Sequence, residues 1–336
     1  MSPQIGGCLA QHWKAWADRG AEDWVINVLR DGYVIPFVSQ PLLSSTPISL
    51  PSYSPNSTKG RALAQELIAL QNKGAVELAP PTPGFYSRMF VVMKASGAWR
   101  PIIDLSTLNK FIDFQSFKME TPQSVLQAVR QNDWMVSLDL ADAYLQIPIN
   151  PESRKFLRFV SPQGTFQFKV LCFGLTTAPQ VFTRVMAPVS SIMHRLGYRL
   201  LRYLDDWLIL GSSLEEIIVA RDTLLALCQV LGIRINVAKS HLVPSQTATY
   251  LGMRIQSPLS RVFPTSERIL KVLQQVEEFL SAPLQPVTLW RSLLGRMSSL
   301  SLLVPGARLR MRALQLCLHR AWDFQDEDKM VYSEIK

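Results

Sequence analysis

Asp205 and Asp206 stand side by side in LLRYLDDWLIL, residues 200–210. Two short apolar runs around a polar break read as two strands joined by a tight turn. Neither Leu-Asp nor Asp-Asp offers the glycine that two-residue hairpin turns favour. At an effective dielectric of 20, two unit charges about 4 Å apart repel by roughly 4 kcal/mol, so the pair calls for a proton or a cation. A surface hairpin with a solvated acidic tip has the same local sequence, and the stretch alone leaves the two readings level. A third carboxylate, Asp139, interrupts the apolar run MVSLDL, residues 135–140. A charge inside such a strand is rarely buried without a partner. If the two acidic elements are neighbours, three carboxylates converge on one rim and suit two hard divalent cations. Two metals about 3.5–4 Å apart can activate an attacking oxygen and stabilise a leaving phosphate oxygen. Nuclease and polymerase both remain open on that chemistry.

The surrounding elements must bring these acids together. Helical periodicity begins near Arg61 and stops at Gly74. Phe90–Met93 and Pro101–Leu105 flank a Ser-Gly turn and predict a hairpin carrying Lys94 and Arg100. Two cations there could clamp a phosphate, or be ordinary charges on a solvated loop. A second hairpin is expected around Pro162 and Gly164. Val181, Phe182, Val185, Val189, Ile192, Met193 and Leu196 mark a helical face, with Pro179 in its first turn, Gly197 at its end and a kink expected at Pro188. Ser213 and Glu216 predict a capping box, opening a helix that runs to Leu231 and closes at Gly232. Residues 233–255 alternate between β-rich runs and turns, and from Thr265 the chain reads as all-helical. Its last helix is enriched in Arg308, Arg310, Arg312, His319 and Arg320. Antiparallel strands joined through helices give an α+β layer. Residues 1–58 predict short helices around Trp13, Trp16 and Trp24, then a Pro/Ser-rich connector over Pro36–Pro55.

The 336 residues suffice for two or three subdomains, and 48% hydrophobic against 18% charged residues describes a globular chain. A net charge of +9 favours a polyanionic partner. The four cysteines and four histidines are scattered without metal-ligand or disulfide spacing. No apolar run is long enough for a membrane span and the N-terminus lacks a signal-peptide core, so an intracellular protein is expected.

From Gly60 to Ile255 the chain resembles the fingers and palm of retroelement reverse transcriptases. KASGAWRPIIDLSTLN is similar to their first block, VSLDLADAY to motif A, and FGLTTAPQVF to motif B in its long-terminal-repeat form. YLDD resembles motif C, Lys239 the motif D lysine and YLGMRI the primer grip. Six blocks in this order are specific where any one alone is not. GFYSRMFVV and SLLGRMSSL…RMRALQ resemble, more narrowly, DIRS/Ngaro-type tyrosine-recombinase retrotransposons beside the Ty/gypsy type.

The resemblance implies a right-hand polymerase with an antiparallel palm sheet packed on helices. Residues 1–58 would be an N-terminal extension and connector, 59–256 fingers and palm, 257–325 a helical thumb or connection, and 326–336 a tail. It implies RNA-directed DNA synthesis, adding dNTPs to a primer 3′-OH on an RNA template, DNA primer or RNA–DNA hybrid. Asp139, Asp205, Asp206 and the carbonyl of Leu140 would hold two Mg²⁺ ions, or Mn²⁺. Lys94 and Arg100 would bind the triphosphate, and backbone N–H groups of Asp142 and Ala143 would cradle it. Tyr144 would exclude a ribose 2′-OH, with Phe173 and Gly174 beneath the nucleotide. Lys239 would protonate the leaving pyrophosphate, and Leu251, Gly252 and Met253 would position the primer. Phe173 stands where retroviral enzymes carry glutamine, which removes a side-chain hydrogen bond, and Cys172 replaces a common proline. No acidic constellation for an RNase H domain is legible. An RNA-dependent RNA polymerase is the first alternative, disfavoured by Tyr144. A catalytically silent nucleic-acid-binding relic or domesticated fragment is the second.

Overall fold

The computed structural model describes residues 4–49, 53–93, 97–117, 119–322, 326 and 329–332. Two compact units interleave along the chain. The first takes Met1–Met119, Leu138–Ile209 and Ile218–Leu242; the second takes Glu120–Ser137, Leu210–Ile217 and Val243–Lys336. Part of the expected palm, residues 120–137 and 243–256, thus clusters with the expected thumb.

A 3-10 turn over Cys8–His12 leads into α1 (Trp13–Ala17) and α2 (Asp23–Asp31), which carries Val25, Val28 and Leu29 buried on one face. The predicted helix before Gly74 is α3 (Thr58–Asn72), with Ser57 accepting from the Gly60 N–H and Gly74 at φ 67°. Ala62, Leu67 and Leu70 form its buried stripe, at helical spacing. Next come β1 (Val76–Leu78), β2 (Arg88–Met93) and β3 (Trp99–Asp104). The β2–β3 pair is the expected antiparallel hairpin, with Phe90 opposite Ile102 and Val92 opposite Arg100. Two short helices follow, α4 (Ser106–Asn109) and α5 (Pro122–Ala128), and then β4 (Trp134–Asp139), α6 (Pro151–Arg154), β5 (Arg158–Ser161) and β6 (Gly164–Phe168). The second predicted hairpin is β5–β6, with β1 completing a three-stranded sheet on the far side of β6.

Where one kinked helix was expected, the chain forms α7 (Ala178–Val185) and α8 (Ala187–Arg195), interrupted at Met186. Pro188 in the first turn of α8 lacks the N–H that a continuous helix would need. Then come β7 (Arg199–Tyr203), β8 (Asp206–Gly211), α9 (Leu214–Leu231) and β9 (His241–Ser245). A four-stranded sheet runs β7-β8-β4-β9. Glu216 N–H donates to Ser213 Oγ as predicted, whereas the Glu216 carboxylate accepts from the Ser212 N–H at 2.7 Å.

The second unit contains the antiparallel sheet β10 (Thr247–Tyr250), β11 (Met253–Gln256) and β12 (Arg261–Pro264), then α10 (Ser266–Leu280). The stretch beyond Thr265 is not wholly helical. β13 (Leu284–Pro286) precedes α11 (Val287–Ser299) and α12 (Ala307–Ala321), and pairs with β14 (Met330–Tyr332), which arises from the segment expected as a tail. Val331 is drawn into the cluster of Phe279, Val287, Trp290, Leu293, Leu318 and Trp322, whose apolar burial holds β14 in place. Among the described residues, no helix is long and apolar enough to cross a membrane.

Candidate active site

The acidic hairpin forms without glycine because Leu204 takes the left-handed conformation, φ 52°. That conformation costs about 1–2 kcal/mol in an L-residue. The indole N–H of the fully buried Trp207 offsets part of it by donating to the Leu204 carbonyl at 2.9 Å. Asp205 thus occupies the turn and Asp206 opens β8. Asp139 ends β4. A ladder of backbone bonds joins these acidic ends: the Leu140 N–H donates to the Asp205 carbonyl at 2.9 Å, the Ala141 N–H to Arg234 at 2.9 Å, and the Asn236 N–H to Asp139 at 2.8 Å. The Leu140 carbonyl takes no part in these three bonds. Ser240 Oγ accepts from the Asp139 N–H at 3.0 Å.

The three carboxylates lie within each other's electrostatic reach. The Asp206 carboxyl is pushed up to about 6, first by desolvation and then by Asp205 and Asp139, with Lys239 pulling the other way. The residue is exposed as a whole, so the desolvation comes from protein crowding around its carboxyl. Burial is also the first cause that lifts Asp139, opposed by Lys239 and reinforced by Asp205. Lys239 Nζ stands 4.0 Å from Asp139 Oδ1. Among the described residues, no three His, Cys, Asp or Glu side chains already form a metal cage. Mutually repelling carboxylates do not close up without a cation between them, and an all-oxygen donor set fits a hard divalent ion.

Asp139 and Asp205 line a cavity of about 210 Å³ together with Arg100, Phe173, Lys239 and Lys73. The Arg100 guanidinium lies 5.5 Å from the Phe173 ring centre. Phe173 is 40% exposed and packs at 4.9 Å against Tyr144, which is 7% exposed and also meets Phe182 at 5.6 Å. Burial pushes the Tyr144 hydroxyl up to about 12. Gly174 has φ 101°, and a Cβ there would lie 2.6 Å from the Ile103 carbonyl. Asn109 spans the same loop, donating to the Gly174 carbonyl at 2.8 Å and accepting from the Thr176 N–H at 3.0 Å.

Asp142, at φ 45°, opens the 3-10 turn Ala143–Gln146, which buries Ala143 and Tyr144. Its carboxylate is held by Lys73, with Nζ 2.9 Å from each oxygen. Lys94 lies outside the described residues. Leu251, Gly252 and Met253 fall in the second unit, at the β10–β11 turn. Leu251 and Gly252 have φ 49° and 70°, and Arg268 donates to the Gly252 carbonyl at 3.3 Å. Met253 is wholly buried, backbone and side chain alike.

Lys73 and Asn109 escaped the sequence reading. Lys73 directly precedes the helix-stopping Gly74 but belongs to no motif, and Asn109 sits at the end of the first block with no charge to draw notice.

Residues 92–255 match the family described as "Reverse transcriptase (RNA-dependent DNA polymerase)". The chain is 28% identical over 215 residues to the "Enzymatic polyprotein" of Cestrum yellow leaf curling virus, covering 62% of this chain and 33% of that one. It is 30% identical over 180 residues to the "Gag-Pol polyprotein" of Avian leukosis virus subgroup A (isolate RSA), covering 50% and 11%. It therefore spans a third or less of these curated relatives. In fold it is similar to a foamy viral protease-reverse transcriptase solved with double-stranded DNA, at TM-score 0.72 and 16% identity, over 99% of this chain and 59% of that one. A second foamy viral structure, with an RNA/DNA hybrid, gives TM-score 0.68 and 17% identity over 96% and 44%. The family is divalent-metal dependent, in keeping with the acidic donor set. Over residues 92–255, which carry Asp139, Asp205 and Asp206, the chain matches the reverse transcriptase family in sequence, and over nearly its whole length it is similar to reverse transcriptases in fold.

Proposed function

We propose that this chain is an RNA-directed DNA polymerase core that adds deoxynucleotides to a primer 3′-OH. The observation that carries the reading is that Asp139 and Asp205 line one cavity with Arg100 and Lys239, with Asp206 within electrostatic reach of both acids. Asp139, Asp205 and Asp206, with the Leu140 carbonyl, supply oxygen ligands for two Mg²⁺ ions, or Mn²⁺. When bound, such ions activate the attacking hydroxyl and stabilise the leaving pyrophosphate. Arg100 neutralises charge on the transferring phosphates. Backbone N–H groups at Asp142 and Ala143 orient the triphosphate, and Lys94 adds a further cation. Tyr144 limits space at the sugar 2′ position, over a floor of Phe173 and Gly174. Lys239 holds a proton for the leaving group. Leu251, Gly252 and Met253 position the primer, and the arginines of α12 contact backbone phosphates without reading sequence. An RNA–DNA hybrid as substrate is supported by the hybrid held in the foamy viral relative. The narrower kinship with DIRS/Ngaro-type elements rests on the flanking motifs alone. Primer extension on an RNA template with Mg²⁺ and dNTPs tests the reading. Extension by the wild type and none by Asp205→Asn is expected. No extension by a folded, hybrid-binding protein would overturn present activity and leave the motifs as a record of ancestry.

A further inference from the structure

Lys73 belongs to none of the sequence motifs, yet its side chain lines the same cavity as Arg100, Lys239, Asp139 and Asp205. Its present partner is Asp142, whose two carboxylate oxygens each lie 2.9 Å from Nζ. The pair is partly open to solvent, with 41% and 34% of the two side chains exposed. Ion pairs this exposed are weak. They yield readily to a polyphosphate, which brings several charges and more acceptor oxygens than one carboxylate.

The position is built rather than incidental. Gly6 N–H donates to the Lys73 carbonyl at 2.7 Å, and a Cβ on Gly6 would lie 2.2 Å from the Gly74 carbonyl oxygen. The next residue, Gly7, donates to the Leu145 carbonyl at 2.8 Å, and Leu145 N–H in turn donates to the Asp142 carbonyl at 2.8 Å. Two adjacent glycines of the N-terminal segment therefore fasten the backbone on both sides of the ion pair. The long lysine side chain is left as the movable part, rooted at the end of α3.

We propose that Lys73 is a further phosphate-binding cation of the nucleotide site, parked on Asp142 until a triphosphate arrives. The assignment rests on reading this cavity as the nucleotide site. In it, Asp142 plays two separable parts. Its backbone helps orient the nucleotide, while its carboxylate competes with the nucleotide for Lys73. A purely structural tie between Lys73 and Asp142 gives a different signature, because removing either partner then does the same damage.

The test is the affinity of the next complementary dNTP for a complex of full-length protein, Mg²⁺, RNA template and chain-terminated primer. This measures nucleotide binding without turnover. Lys73→Gln is expected to weaken dNTP binding about tenfold, in line with loss of one charge-assisted contact, and Lys73→Arg to retain most of it. Asp142→Asn is expected to tighten dNTP binding, because its carboxylate no longer competes with the nucleotide for Lys73. Thermal melting of each variant separates loss of binding from loss of fold. Equal weakening by Lys73→Gln and Asp142→Asn, or no effect of Lys73→Gln, would overturn the proposal while leaving the nucleotide site standing. Failure of the wild type to form the ternary complex would overturn the site itself, and the role of Lys73 with it.

Discussion

The backbone N–H of Leu140 donates to the carbonyl of Asp205 at 2.9 Å, joining residues 65 positions apart. This bond sits directly between two of the acids, Asp139 and Asp205. It uses main-chain atoms, so the spacing of the two elements survives a change of either side chain. Charge can then be altered at the site without moving the site.

Asp205→Asn follows from that geometry. It keeps the carbonyl that holds Leu140 and removes one oxygen ligand. Primer extension is expected to fall by at least about a thousandfold, roughly 4 kcal/mol in the barrier, with hybrid affinity within about twofold of wild type. Filter binding beside extension assays checks this. A comparable loss of both would sink the ligand assignment.

The raised Asp206 carboxyl predicts a pH-dependent stability. With a folded value of about 6 and an ordinary value of 3.8, the folded protein holds this proton more tightly than the unfolded chain does. Its contribution to stability is fully present below pH 4 and is lost as pH rises towards 6. Asp139 is shifted in the same direction. Asp206→Asn should remove part of this loss, and added Mg²⁺ should restore stability above pH 6 in the wild type but less in the variant. Denaturant melts between pH 4 and 7, with and without Mg²⁺, read the effect. A wild-type stability that rises relative to that of Asp206→Asn across that window would contradict the sign.

Tyr144→Val tests the sugar gate. Tyr144 packs between Phe173 and Phe182 at 4.9 and 5.6 Å, so the smaller residue opens space beside the exposed face of Phe173. Ribonucleotide incorporation is expected to rise at least tenfold relative to dNTP, with about 1–3 kcal/mol of stability lost with the aromatic contacts. Unchanged sugar selectivity in a folded variant would refute the gate.

Asn109→Ala tests how the proposed nucleotide floor is held. The side chain makes two hydrogen bonds across residues 174–176, and its loss should cost about 1–2 kcal/mol of stability. The KM for dNTP should rise several-fold while hybrid affinity stays constant. An unaltered KM would show that the Gly174 backbone, wedged against Ile103, keeps its place without Asn109.

The sequence by itself determined the local elements. Alternating apolar runs set β2, β3, β5 and β6, and the apolar runs around the acidic pair set β7 and β8. Helix stops at Gly74, Gly197 and Gly232 were legible because each adopts positive φ, which side chains resist. The order of motifs identified the domain because chemistry ties each residue type to its place in the chain. Tertiary structure alone decided the rest. It gave Asp142 to Lys73, hung the 174–176 loop on Asn109, laid Gly6 against Gly74, paired β14 with β13, and drew residues 120–137 into a unit that chain order does not suggest. These contacts join residues far apart in sequence, and a contact of that kind leaves no periodicity or spacing along the chain. What fixes them is close packing and the need of each polar group for a partner, which the chain meets only once it is folded.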